Sequence, residues 1–307
     1  MRVAQRALRI EPFHVMEVAK AARALDRPTG HDRPPMLYLN IGEPDFTAAP
    51  LVVQAGERAL REGRTQYLPA LGLESLRERL SQWYRDRFGL SVPARRIVIT
   101  AGASAALQLA CLALIEAGDE VLMPDPSYPC NRQFVQAAQG QAVLLPCEAA
   151  QRYQLSAAQV REHWGANTRG VLLASPSNPT GTSMAASELR EIHQVVSHHG
   201  GITLVDEIYL GLSFDAAYGQ SALALGEDII SINSFSKYFN MTGWRLGWLV
   251  VPEALVGVME RLTQNLYICA SAIAQHAALA CFEPASLALY EERRAAFQAR
   301  QIGRAHV

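Results

Sequence analysis

Short apolar runs alternate with stretches of helical spacing from about residue 50 to about residue 280. The runs fall at 96–102, 120–124, 141–146, 168–174, 202–206, 228–232 and 246–251. Helical spacing fills 50–62, 73–88, 103–117, 186–198 and 252–266, and continues at 271–282 and 285–300. A run that is apolar at every position has to be covered on both faces, and a helix between two such runs brings the second back parallel to the first. The chain is therefore expected to be α/β, a mostly parallel sheet with helices on both faces. Outside this pattern, 15–25 reads as a helix broken by Asp26-Arg-Pro-Thr-Gly30 and Pro34-Pro35. Residues 36–42 read as a short strand and 153–164 as helical.

Ligands of open α/β sheets sit beyond the carboxyl ends of the strands, and that is where the unusual polar residues fall. The run at 228–232 leads into Ser234-Phe-Ser236-Lys237, with Arg245 eight residues beyond the lysine. Burial lowers the pKa of an ammonium, which suits Lys237 to act as a neutral nucleophile, and nucleophilic lysines form Schiff bases with carbonyl compounds. Ser234, Ser236 and Arg245 supply hydroxyl donors and a fixed cation for a phosphate. The run ending at Gly102 passes directly into a helix whose free N–H groups make an anion cradle, with small residues Ala103 and Ser104 letting the anion close. There is no GxGxxG or GK[ST] motif, so a nucleotide is not expected. The run at 202–206 ends in Asp206, a carboxylate that needs a cation when buried. No His or Cys cluster at metal spacing accompanies it, so a metal is not expected there. Tyr209 follows three residues on, Asn178 stands in the rigid turn Ser175-Pro-Ser-Asn-Pro-Thr-Gly181, and Tyr128 stands in the loop after 120–124. Gly42, in Gly42-Glu-Pro-Asp45, would let a ligand approach the backbone.

The 307 residues, half of them hydrophobic, suffice for one large or two medium domains with a sizeable core. A net charge of −1 without charge blocks argues against nucleic acid or an anionic membrane as the partner. Cys111, Cys130, Cys147, Cys269 and Cys281 are dispersed and form no CxxC, which reads as reduced and cytoplasmic. Residues 1–25 are interrupted by charges and lack the apolar middle of a signal peptide, and the apolar stretch near 105–115 is too short to span a bilayer.

Taken together, Ser234-x-Ser236-Lys237 with Arg245, Asp206-Glu-Ile-Tyr209, Ser177-Asn-Pro-Thr-Gly181 and Leu39-Asn-Ile-Gly-Glu-Pro-Asp45 resemble the motifs of the pyridoxal-phosphate aminotransferases of class I/II, fold type I. The resemblance covers roughly residues 36–282, with the motifs in family order. It implies that Lys237 carries pyridoxal 5'-phosphate and moves a proton at the substrate α-carbon, and that Asp206 keeps the ring nitrogen protonated. Tyr209 and Asn178 would bond the phenolic oxygen, and Tyr128 would stack on the ring. Ala103, Ser104, Ser234, Ser236 and Arg245 would hold the phosphate, with Tyr67 from the neighbouring subunit of a homodimer. Gly42 and Asn178 would face the substrate carboxylate. Ala105 departs from the Glu or Gln of many members.

The implied activity is transfer of an amino group from an amino acid to a 2-oxo acid. A carbon–sulfur lyase of the same fold, or a non-catalytic protein that binds the cofactor, would use the same residues. The implied domains are 1–48 as part of a small domain, 49–282 as the large cofactor domain and 283–300 as the resumption of the small one. The family's carboxylate-gripping arginine lies near its C-terminus in a Phe-x-Arg context that Arg293, Arg294 and Arg300 lack. The tail Ile302-Gly-Arg-Ala-His-Val307 reads as a translated sequencing adapter, so 301–307 is expected to be non-native and the small domain to continue for roughly 80–100 further residues.

Overall fold

The computed structural model describes residues 1–26 and 36–302, with side chains through Arg300. Most of the predicted break after Leu25, and the tail from residue 303, lie outside the described residues. In chain order the first elements are α1 (Gln5–Arg9), α2 (His14–Leu25), α3 (Pro50–Arg61) and α4 (Glu74–Phe88). Pro50 opens α3, where its missing N–H costs nothing, and Gly89 in the left-handed conformation closes α4. Then come β1 (Ile97–Thr100), α5 (Ala103–Leu114), β2 (Glu120–Asp125), α6 (Cys130–Ala137) and β3 (Gln141–Pro146). These are followed by α7 (Ala157–His163), β4 (Thr168–Ala174), α8 (Ala186–His198), β5 (Ile202–Asp206), β6 (Ile230–Ser234) and β7 (Gly247–Val250). The last are α9 (Glu253–Leu266), α10 (Ala272–Ala278) and α11 (Pro284–Ile302).

The strands form one sheet in the order β1-β7-β6-β5-β4-β2-β3. Pairs from β3 through β6 are parallel, and β7 alone runs against both its neighbours, β1 and β6. The expected mostly parallel sheet is therefore present. Alternate residues of each strand point to opposite faces, and the packing follows that period. Val98, Val121, Met123, Leu172, Leu204, Ile230, Ile232 and Leu249 join α5, α6 and α9 in one apolar layer. On the other face Leu122, Val171, Leu173 and Val205 pack with α7 and α8. Farther along that same face Ile97, Ile99, Trp248 and Val250 pack with α3, α4, α10 and α11. No described helix is long and apolar enough to cross a membrane.

Residues 36–42 form no strand, contrary to expectation. Leu37 and Leu39 are 80% and 87% exposed, so the apolar spelling of this run is not matched by a partner strand or a core to cover it. The helix expected over 153–164 is confined to α7, because Ser156 caps it through a bond from the Gln159 N–H and Arg152 and Tyr153 ahead of it adopt positive φ. The contrast in burial is measurable by urea denaturation. Leu172→Ala, in the middle of β4, should cost about 2–5 kcal/mol. Leu37→Ala should change stability by no more than about 0.5 kcal/mol; equal losses would contradict the burial described here.

Candidate active site

The carboxyl ends of β1, β2, β4, β5 and β6 lie on one edge of the sheet, and the reversed β7 brings its first residue, Gly247, to the same edge between Thr100 and Ser234. Each strand end delivers one candidate group there. After β1, Gly102 has φ +85°, a conformation that side chains rarely adopt, and a Cβ on it would stand 2.6 Å from Arg245 Nη2. On Gly247 a Cβ would meet the Ala103 backbone N at 2.8 Å, so β7 lies flush against the start of α5. Ala103 and Ser104 head that helix, and its first N–H groups face outward with no side-chain cap. Arg245 itself has positive φ and donates from Nη1 to the Thr242 carbonyl at 2.9 Å, which fixes its fork over Gly102. Ser234 Oγ accepts from the Ser236 N–H at 2.9 Å, and both serines are buried. A tight backbone, uncapped N–H groups, two hydroxyls and a guanidinium converge as a phosphate cradle requires.

Beside the cradle is Lys237, half-buried, its Nζ donating to the Gly42 carbonyl at 2.6 Å and standing 5.4 Å from the centre of the Tyr209 ring. Burial lowers its pKa; the Glu43 carboxylate opposes that and the Arg245 charge adds to it. Asn178 Nδ2 donates to Tyr209 Oη at 3.4 Å. Asp206 is buried, with Oδ1 accepting from the Ile208 N–H at 3.1 Å. Burial is the main cause that pushes its carboxyl up to about 7; the Ile208 N–H and Lys237 oppose the shift and Glu207 adds to it. Burial likewise raises the phenols of Tyr209 and Tyr128. Tyr128 meets Phe13 of the segment before α2 edge to face at 5.9 Å.

The structure thus brings together Gly42, Ala103, Ser104, Asn178, Asp206, Tyr209, Ser234, Ser236, Lys237 and Arg245, with Tyr128 at the rim. Tyr67 stands apart, 79% exposed. Two contacts were not foreseen: Glu43 accepts from Thr242 Oγ1 at 2.6 Å, and Glu207 lies buried behind Asp206. The second was visible in principle, as two consecutive carboxylates at the end of an apolar run must point to opposite faces of a sheet.

The sequence pattern of the family Aminotransferase class I and II matches residues 34–303. The chain belongs to that family. The valine–pyruvate aminotransferase of Mycobacterium tuberculosis is 38% identical over 288 residues, which cover 94% of this chain and 73% of that protein. The aspartate aminotransferase of Geobacillus stearothermophilus is 30% identical over 304 residues, 98% of this chain and 76% of that one. A crystal structure of an aminotransferase from Mycobacterium tuberculosis superposes with a TM-score of 0.90 at 38% identity, covering 96% of this chain and 75% of the other. This aminotransferase is accordingly an enzyme of amino-group transfer that works with pyridoxal phosphate. The donor set fits that cofactor: a phosphate cradle, a lysine of lowered pKa, and a buried carboxylate for which a protonated ring nitrogen is the missing cation.

The state of Asp206 gives a pH-dependent stability. Its carboxyl rises from an ordinary value of 3.8 to about 7 in the folded chain. A raised pKa means that the group's contribution is complete below the unfolded value and is lost as pH rises through the folded one. Cofactor-free Asp206→Asn, which has no charge to bury, should therefore melt above the parent protein at pH 8, by on the order of a few °C. That advantage should shrink toward pH 4. A difference independent of pH would mean that Asp206 titrates normally.

Proposed function

We propose that Lys237 carries the cofactor and that the enzyme passes the amino group of an amino acid, valine or a related apolar one, to a 2-oxo acid such as pyruvate. The observation that carries the assignment is the Lys237 amine, held at the strand edge between the Gly102–Arg245 cradle and Asp206. The choice of substrate pair is supported by the name of the 38% identical valine–pyruvate relative. Bound pyridoxal phosphate supplies an electron sink for the substrate α-carbon. The residues around it do the rest. The first N–H groups of α5, Ser104, Ser234, Ser236 and Arg245 hold the phosphate, and Ala103 leaves room for it. Asp206 keeps a proton on the ring nitrogen, Tyr209 and Asn178 donate to the phenolic oxygen, and Tyr128 covers the ring face. Lys237 would move the proton at the substrate α-carbon. Gly42 and Asn178 face the substrate carboxylate.

The same reading makes 49–282 the cofactor domain, with 1–48 and 283–300 belonging to a small domain. The helices α1 and α2 bury only Ala19 between them, which supports a separate role for that end of the chain. The protein works as a homodimer in the cytoplasm. Exposed Tyr67, Leu266 and Ile268 support an interface, and five unpaired cysteines support a reducing compartment.

The chain has only two lysines, Lys20 and Lys237, so the central assignment can be tested cleanly. Borohydride treatment of the cofactor-loaded protein should fix the cofactor to the peptide containing Lys237. A label on Lys20, or none, would overturn the proposal. Arg245→Ala should weaken cofactor binding by about 1.5–3 kcal/mol, the scale of a charge-assisted hydrogen bond; unchanged affinity would remove Arg245 from the phosphate site. A panel of amino donors with pyruvate and 2-oxoglutarate should rank valine with pyruvate above aspartate with 2-oxoglutarate, and the reverse order would reject the substrate pair.

A further inference from the structure

The face of the sheet opposite α5 carries two apolar clusters, and the boundary between them is polar. Leu204 packs on the α5 side, so Asp206 lies on that face while Val205 and Glu207 point to the other. Ile230 and Ile232 likewise pack with α5, which sends Ser231 and Asn233 across to Glu207. The Glu207 side chain is buried, and three donors meet it: Ala222 N–H at 2.6 Å on Oε1, and Ser221 Oγ at 2.9 Å and Ser231 Oγ at 2.5 Å on Oε2. Ser231 Oγ accepts from Asn233 Nδ2 at 2.9 Å, which leaves its own hydrogen for Glu207. Asn233 Nδ2 also reaches Tyr84 Oη at 3.2 Å, and Trp248 Nε1 donates to the same oxygen at 3.0 Å. Every group around Glu207 donates to it. No lysine, arginine or histidine is among its partners, and burial raises its pKa; the hydrogen bonds from Ser231, Ala222, Ser221 and Asn233 oppose that shift, and this all-donor geometry is what favours a carboxylate anion.

The backbone of Glu207 is as constrained as its side chain. Its N–H bonds the Ile232 carbonyl at 2.8 Å, and its carbonyl accepts from Leu210 N–H at 2.9 Å, closing the turn that carries Tyr209. Asp206 on one side and Tyr209 on the other therefore take their positions from a residue that touches neither the cradle nor Lys237. A fixed negative charge one residue from Asp206 also disfavours a second uncompensated negative charge there, and so favours a proton on whatever Asp206 binds.

We propose that Glu207 is a positioning residue of the cofactor site, an anion on the far face of the sheet that fixes Asp206 and strengthens its hold on the protonated ring nitrogen. The proposal rests on the role of Asp206 given above. The titratable groups facing the pair are Lys237, Tyr209 and Tyr128 on the cofactor side and Tyr84 on the far side.

The test uses the reconstituted protein with cofactor labelled with ¹⁵N in the ring, whose nuclear resonance reports the ring proton directly. Glu207→Gln can keep the hydrogen bonds, since the serine hydroxyls can turn to accept from the new amide, while removing the charge. The pH at which the ring nitrogen loses its proton should fall by on the order of one unit in Glu207→Gln, roughly a tenfold change in proton affinity. Ser231→Ala keeps the carboxylate and removes one of its donors; it should move the midpoint in the same direction by less, and it decides the matter if Glu207→Gln does not fold. Asp206→Asn serves as the reference. If the reference shifts while Glu207→Gln and Ser231→Ala keep the parent midpoint, Glu207 is only scaffolding and the proposal falls. If Asp206→Asn leaves the ring proton unchanged, the role of Asp206 itself is wrong and Glu207 falls with it.

Discussion

A carboxylate at the end of a strand covered on both faces has no water to stabilise its charge, and Asp206 is in that position. The desolvation that pushes its carboxyl up to about 7 disfavours its charged form in the cofactor-free fold, and the protonated ring nitrogen proposed beside it would turn the same burial into an attraction. Lys237, lowered in pKa by the same cause, becomes a better nucleophile as its surroundings become drier. One physical condition, exclusion of water from the carboxyl edge of the sheet, therefore suits both Lys237 and Asp206 to the roles proposed for them. The three apolar clusters that enclose the strands provide that condition.

The anion cradle depends on a different constraint, the closeness of two backbones. Gly102 and Gly247 face each other where β7 lies against the start of α5, and the guanidinium of Arg245 occupies the space that a side chain on Gly102 would need. A glycine at either place is thus a condition for the cation to reach the helix start. The arginine's own backbone is left-handed, an uncommon conformation for a non-glycine residue, and its guanidinium bonds the Thr242 carbonyl.

Much of this was legible in the sequence because the relevant signals are local. Fully apolar runs at 168–174 and 202–206 mark buried strands, and the polar residues that follow them fall at the same edge once the strands are parallel. The chemistry of Lys237, Asp206 and Arg245 could be inferred from residue type and the cost of burial. What could not be read depends on distant partners. The run at 36–42 has the composition of a strand yet pairs with no strand among the described residues, since pairing is a property of two segments. The reversal of β7 and its insertion between β1 and β6 leave no mark in residues 246–251. The bond from Lys237 to the Gly42 carbonyl joins residues far apart in the chain, and the three donors that meet Glu207 come from two other segments.

The place of β7 in the sheet bears on how the protein is made. Ile97 pairs with Val250 and Thr100 with Gly247, so among the described residues the strand that leads into the cradle gains its sheet partner from a segment synthesised much later. Strands β2 to β6 can pair with one another as they leave the ribosome, but β1 must wait. The cradle at its end therefore closes as one of the late events of folding, governed by long-range contacts that form slowly. A nascent chain of this enzyme has most of its sheet before it has any place to put a phosphate. The cofactor, arriving only after Gly247 and Arg245 are seated, would act on a nearly finished fold as a clamp across its latest seam.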